Sequence, residues 1–293
     1  MANRRVLVRR RAAVRNTRKI TRTMQLIATA RFQAAFKRAT ASKPYTEKLE
    51  ELVGNLAGAA GDLEHPLMRA PENLTTTTLL VLTSNRGLCG GYNANVFRVA
   101  GDHYEKDKQG NIETDLRVVG KKGVAYLQFH GWPMSESYTD ISDIPTFEEV
   151  EPIANSLMDK FVRGETGSVF VAYMKFISTG KQIPMVEQIL PLKSDEEEAT
   201  NAQEQAAEVD YEFSPEPAEL LAELLPASVR IRIFQAFTDA AVSEQVARMV
   251  AMTAATDAAE DMIKRLTQKY NRARQTAITM ELLDIVGGAN ALA

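Results

Sequence analysis

The sequence predicts an α/β protein in which a central Rossmann-like open sheet domain carries a long antiparallel coiled coil made of the N- and C-terminal helices. Three observations lead there. From Ala227 to Val286 there is neither Gly nor Pro, and a helix of that span reaches about 90 Å at about 1.5 Å per residue. From Ala2 to Lys43 the same absence allows a second helix of about 60 Å. Between them, Thr75 to Pro191 alternates β-branched, apolar runs with shorter helical patterns. A chain that leaves a body on one helix and returns on another sets the two helices antiparallel. The expected divisions are 1–60 for the N-terminal helix, 75–192 for the α/β domain, 193–217 for an acidic linker and 218–293 for the C-terminal helix.

The N-terminal helix has an apolar beat at Ala13, Thr17, Ile20, Met24, Ile27 and Ala34, interrupted by Arg31. Its charge is one-sided. Arg4, Arg5, Arg9, Arg10, Arg11, Arg15, Arg18, Lys19, Arg22, Arg31, Lys37, Arg38 and Lys43 all precede the first acidic residue, Glu47. Such a helix calls for a negative partner: nucleic acid phosphate, an anionic membrane surface or an acidic protein collar. Only Phe32 and Phe36 are interleaved with these cations before Tyr45, which argues against nucleic acid. The acid-free start is also like a mitochondrial transit peptide, but the apolar beat continues past residue 30. No secretory apolar segment and no membrane span is seen in the sequence.

The body begins with TTTTLLVLTS (Thr75 to Ser84), a strand apolar enough for burial on both faces. Gly87, Gly90 and Gly91 then turn the chain into a helix. LRVVG (Leu116 to Gly120) and KKGVAYLQFHG supply a second strand and helix, and Thr146 to Phe161 has the apolar spacing of a third. SVFVAYMKFIS (Ser168 to Ser178) and KQIPMVEQILPL (Lys181 to Leu192) form a hairpin around Thr179 and Gly180. Strands alternating with helices imply a largely parallel sheet with an antiparallel edge.

The glycine turn invites a dinucleotide reading. Its spacing is G-x-x-G-G rather than G-x-G-x-x-G, the second strand ends without an acidic residue, and no G-K-[ST] closes a phosphate loop. Cys89 is the single cysteine, so an internal disulfide and a Cys-based zinc site are excluded. His65, His103 and His130 follow no ligand spacing. No catalytic residue, cofactor or metal is expected.

After Leu192 the composition turns acidic, with SDEEE and EQAAEVDYEFSPEPAE marking a solvated linker. Helix resumes near Ala218, with Pro226 in its first turn or at a kink. Along the C-terminal helix Val242, Val246, Met249, Thr253, Thr256, Ile263, Leu266, Tyr270, Ala273, Ala277 and Met280 keep alternating spacings of three and four, interrupted by Glu260. Periodicity by itself favours a static dimerisation or spacer element. Ile20, Ile27, Leu282, Leu283 and Ile285 cannot all be covered by one another, so apolar surface is expected to remain open.

Three separated stretches carry a resemblance. AAVRNTRKITRTMQLIATARFQAA (Ala12 to Ala35), TSNRGLCGGYNANVF (Thr83 to Phe97), and SEQVARMVAMTAATDAAEDMI with YNRARQTAITMELLDIVGGANAL (Ser243 to Ile263, Tyr270 to Leu292) resemble, in order and over nearly the full length, the gamma subunits of F-type rotary ATP synthases. The resemblance implies a central rotor. Its paired terminal helices would stand inside a ring of alternating alpha and beta subunits, and its body would rest with the epsilon subunit on the membrane ring of c subunits. It implies no nucleic-acid partner, no nucleotide on this chain, and a peripheral place on the cytoplasmic side of a bacterial inner membrane. Because the first motif begins within about a dozen residues of Met1, too few for a targeting segment, the chain is expected to keep its own N-terminus.

Residue by residue, Lys19, Arg22 and Met24 match the K-I-T-x-x-M region, which implies contact with the lower end of the beta subunits. Arg248 matches the A-R-M position opposite. Arg274, Gln275 and Thr279 match the A-R-Q-x-x-I-T region, implying contact with the catch loops of the collar. Asn85 stands where the family often has Asp, Ala258 where it often has Asn, and Tyr211 to Pro215, with Ser214 before the Pro, lacks the Glu commonly found there.

Overall fold

The computed structural model describes residues 4–59, 65–69, 75–192 and 217–292. In chain order the elements are α1 (Arg4–Ala59), β1 (Thr76–Leu82), α2 (Tyr92–Gln109), β2 (Glu113–Val119), α3 (Lys121–His130), β3 (Glu136–Tyr138), α4 (Phe147–Val162), β4 (Ser168–Ser178), β5 (Lys181–Leu190) and α5 (Pro217–Leu292). Contacts divide the chain into two units, one of residues 31–247 and one of residues 1–30 with 248–293.

In the 31–247 unit the sheet runs in the order β3-β2-β1-β4-β5. β3, β2, β1 and β4 are parallel, with Leu79 opposite both Leu116 and Phe170, and β5 closes the sheet antiparallel to β4 with Tyr173 opposite Met185. Successive side chains of a strand point to opposite faces, so β1 feeds two cores. Leu80 and Leu82 join Val119, Val169 and Val171 beneath α4 and the start of α5. Leu79 and Val81 join Leu116, Val118 and Ala172 beneath α2 and α3. The covering helices present apolar stripes of matching period: Val150, Ile153, Ala154, Leu157, Met158 and Phe161 on α4, and Leu221, Leu225, Val229, Ile233, Ala236, Phe237 and Ala240 on α5. Each buried Leu or Val contributes about 1.5–3 kcal/mol against exposure.

Local chemistry sets the boundaries. α4 starts at a capping box, where the Glu149 carboxylate accepts from the Thr146 N–H at 2.8 Å. The junction from β2 to α3 needs glycine: Gly120 has φ of 94°, and a Cβ there would lie 2.3 Å from the Thr83 carbonyl oxygen.

Two prolines are carried within the long helices. Pro44 and Pro226 both lie inside helices, α1 continuing to Ala59 and α5 starting at Pro217, so Pro226 is not in the first turn. Each removes one backbone hydrogen bond, which long helices tolerate when the flanking turns are packed or well formed. β3 is also unanticipated, a three-residue strand held by Arg117 opposite Glu136. The acidic stretch expected as a linker lies outside the described residues, apart from Pro217.

Candidate partner-contact surface

The unit of residues 1–30 and 248–293 holds all seven residues carried over from the resemblance. Its two helices meet along a narrow seam in which Ala and Thr alternate with larger side chains. On α5 the covered positions are Met252, Thr256 and Ala259, continuing through half-buried Ile263, Leu266, Tyr270, Ala273 and Ala277 at spacings of four and three. On α1 they are Leu7, Thr21 and Ala28, with Arg11, Val14, Arg18 and Gln25 half-buried between them.

Two contacts give the direction of pairing. Thr21 and Thr256 hydroxyls are 2.8 Å apart, and the Arg11 guanidinium sits 5.1 Å from the Tyr270 ring centroid. Moving toward the N-terminus of α1 moves toward the C-terminus of α5, so the helices are antiparallel.

The observed N-terminal seam is displaced by one residue from the apolar beat. Ala13, Thr17, Ile20 and Ile27 are exposed, Ile20 by 60%, whereas Thr21 and Ala28 are covered. On α5, Ala259 takes the place that the beat assigned to Glu260, and Met252 is buried where Met249 and Thr253 are only half covered. On α1 the smaller neighbours Thr21 and Ala28 take the covered positions in place of Ile20 and Ile27. Arginine stems fill the remaining gaps, as at Arg11.

Of the predicted contact residues five are exposed, one is half-buried and one is covered. Lys19 and Arg22 are exposed on α1, and the Arg22 guanidinium donates to Gln25 Oε1 on its own helix at 2.9 Å. Met24 is half-buried beside them. Arg274, Gln275 and Thr279 are exposed on α5, with the Thr279 hydroxyl donating to the Gln275 carbonyl at 3.0 Å. Arg248 differs: it is 7% exposed and engaged inside the chain. Nine cations and no acid lie on α1 between residues 4 and 30. Bulky apolar side chains share this outer surface, among them Leu26, Val250, Met262, Ile278, Leu282, Leu283 and Ile285. Leu26, Val250 and Met262 escape a reading that equates apolar periodicity with burial. Their signal is excess: more apolar residues than one narrow seam can cover.

Backbone donors beside the glycine turn and at the start of α3 are taken up by the chain itself. Ser84 N–H donates to Asn93 Oδ1, Lys121 N–H to Asn85 Oδ1, Lys122 N–H to the Ser84 carbonyl and Gly123 N–H to Thr83 Oγ1, all between 2.9 and 3.1 Å. Those donors are occupied, so they do not form a phosphate cradle. Asn85 uses both ends of its amide, its Nδ2 donating to the Ile141 carbonyl at 3.0 Å, a bond that the Asp common in the resembled family cannot donate. Among the described residues no group of three or more His, Cys, Asp or Glu is placed to hold a metal, and no helix is long and apolar enough to cross a membrane.

A family model described as ATP synthase matches residues 3–292. The ATP synthase gamma chain of Rhodopirellula baltica is 45% identical across 100% of this chain and 99% of its own length. The chain belongs to the ATP synthase gamma chain family. The fold agrees with that membership. A chain in the rotor of the Euglena gracilis mitochondrial ATP synthase, in rotational state 1, superposes with a TM-score of 0.63 at 15% identity, covering 94% of this chain and 98% of that one. A chain of the OSCP/F1/c-ring assembly of the same synthase, in rotational state 3, gives a TM-score of 0.69 at 17% identity over 99% and 94% of the two chains. At such identities the agreement concerns the fold alone, while family membership rests on the full-length gamma chain relatives.

Proposed function

We propose that this chain is the central rotor shaft of an F-type ATP synthase, coupling transmembrane ion flow to ATP synthesis by driving conformational change in the catalytic beta subunits. The observation that carries this is the conjunction of full-length gamma chain kinship with an antiparallel helical pair whose outer surface is basic and apolar together. A basic shaft suits an acidic collar, and its exposed apolar side chains suit a bearing that excludes water. An asymmetric shaft inside a pseudo-symmetric ring presents a different face to each beta subunit. It biases each site between states of different nucleotide affinity through differential contacts, and moving a site from mostly open to mostly closed takes about 5 kcal/mol.

In this reading Lys19, Arg22 and Met24 face the moving lower ends of the beta subunits. Arg274, Gln275 and Thr279 meet the catch loops, where guanidinium and amide groups make directional hydrogen bonds to carboxylates that exchange as the shaft turns. Arg248, matched on the opposite helix, is the covered member of the set. The sheet unit contacts the epsilon subunit and the ring of c subunits, and the complex sits on the cytoplasmic face of a bacterial inner membrane. The nucleotide chemistry belongs to the partner subunits.

The test is isolation of the native complex through a tag on this chain, followed by attachment of a bead to it with the collar immobilised. ATP-dependent unidirectional rotation of the bead is the expected result. Recovery of the chain without alpha and beta subunits overturns the assignment.

A further inference from the structure

Ala28 and Ala259 beside Thr21 and Thr256, and Ala273 and Ala277 further along a seam that also carries Met252, Ile263, Leu266 and Tyr270, do little to distinguish one axial register from the next. Each alanine offers its neighbour the same small volume. In coiled coils a buried polar residue often supplies the missing register, because sliding leaves it without a partner. Thr21 and Thr256, 9% and 8% exposed, are such a pair, their hydroxyl oxygens 2.8 Å apart across the seam.

Each hydroxyl also has an acceptor on its own helix, the Arg18 carbonyl at 3.1 Å from Thr21 and the Met252 carbonyl at 2.7 Å from Thr256. With Thr256 donating across, Thr21 donates to Arg18. With Thr21 donating across, Thr256 donates to Met252. Both arrangements place both protons, and the bond across the seam persists in either. It therefore resists sliding without depending on one hydroxyl rotamer.

We infer that Thr21 and Thr256 form a register clamp that stops α1 and α5 from sliding past each other under torque, making them positioning residues for rotary coupling. The inference rests on the rotor reading above. Apolar contacts between small side chains resist axial shear weakly, whereas a hydrogen bond is directional and is lost on a shift of about 1 Å. Either threonine alone keeps its local acceptor, so removing one hydroxyl should delete the clamp without orphaning the other.

The experiment uses the assembled complex with Thr21→Val, Thr256→Val, the double valine variant, Thr21→Ser and Thr256→Ser. Valine keeps the volume and removes the hydroxyl; serine keeps the hydroxyl. Angular fluctuations of a bead on the stalled rotor report torsional stiffness. The expected result is about a twofold softening, equal in the two single valine variants and the double one because each deletes the same bond. The serine variants should keep wild-type stiffness, and ATP cleavage at zero load should be unchanged in all.

A second measurement on the full-length chain uses spin labels at Thr17→Cys and Lys264→Cys, both exposed, with buried Cys89 left in place. A narrow distance distribution should broaden in the valine variants and stay narrow in the serine ones, and this readout decides where a valine variant assembles poorly. Valine variants with wild-type stiffness and undisturbed label distances overturn the clamp while leaving a rotating wild type intact. A wild-type complex that cleaves ATP without turning the bead overturns the rotor reading itself.

Discussion

Arg31 of α1 forms an ion pair with Asp143, in the segment between β3 and α4. Arg38, two turns further along, donates to the carbonyls of Ile144 at 3.2 Å and Pro145 at 2.9 Å. The cation that interrupts the apolar beat of the N-terminal helix is thus one of the residues that tie α1 to the segment before α4. Both partners are partly covered, at 34% and 22% exposure, so the pair is weaker than a buried one but better than a fully solvated one. Arg31→Ala and Asp143→Ala should each destabilise the 31–247 unit by about 1 kcal/mol, with the double variant little worse than either. Denaturant titrations at low and high salt check this, the effect shrinking as salt rises.

Gly120 should tolerate no side chain. With φ of 94° and the Thr83 carbonyl 2.3 Å from the place of a Cβ, Gly120→Ala forces β1 and α3 apart. The expected cost is about 3 kcal/mol or more, combining backbone strain with a clash against main chain. Gly131→Ala, at a positive φ of 67° but with open space around the Cβ, should cost only about 1 kcal/mol. Comparing the two midpoints in urea separates crowding from conformational strain.

Asp239 on α5 should make stability pH-dependent. It is 8% exposed, and burial pushes its pKa from an ordinary 3.8 up to about 6, although Gln235 Nε2 donates to its Oδ1 at 3.0 Å and Lys175 lies near. Glu187, which pairs with Arg232 and accepts from the Tyr173 hydroxyl, adds a like charge to its surroundings. The folded chain holds this proton more tightly than the unfolded chain does. The penalty of the bare carboxylate is therefore absent below about pH 4, grows between pH 4 and 6, and is complete above about pH 6. Asp239→Asn should raise stability by about 2–3 kcal/mol at pH 8 and hardly at all at pH 4. Melting curves of both proteins across that range are the measurement, and parallel profiles would show that Asp239 does not carry the effect.

How much could be read in advance depended on what fixes each element. The hairpin around Thr179 and Gly180 and the start of α4 after Thr146 are set by turn and cap chemistry within a few residues, and both were legible. β3 was not: Glu136 to Tyr138 is too short and polar to announce a strand, and it forms because Arg117 and its ion pair with Glu136 lie alongside. The long helices were legible as helices; on α5 the beat at Thr256, Ile263, Leu266, Tyr270, Ala273 and Ala277 marks the covered face, whereas on α1 the paired face lies one residue from the beat. Apolar periodicity marks what avoids water in the final assembly, and Ile20 and Ile27 are not covered by this chain. The contacts proposed for Lys19, Arg22, Arg274, Gln275 and Thr279 were accessible only through the family resemblance, because an exposed Arg or Gln on a helix has no local signature that separates partner contact from solvation.

The last prediction concerns coupling. Arg274 and Gln275 are exposed, while their neighbours Ala273 and Ala277 lie on the seam, so replacing both by Ala leaves the pairing intact and suits helix formation. Stability should change by no more than about 0.5 kcal/mol. On the proposed function, losing the two contacts assigned to the collar should lower ions pumped per ATP and cooperative hydrolysis by about tenfold, whereas slow single-site turnover, assigned there to the beta subunit, should persist. Met24→Lys should act otherwise: a cation added beside Lys19 and Arg22 holds an acidic partner too firmly at one rotor angle, so ATP is still cleaved but transmission becomes inefficient. Proton pumping per ATP hydrolysed in reconstituted vesicles distinguishes these outcomes. Unchanged coupling in both variants with full assembly would remove these residues from the contact surface, and loss of single-site cleavage in the double variant would place them in an active site instead.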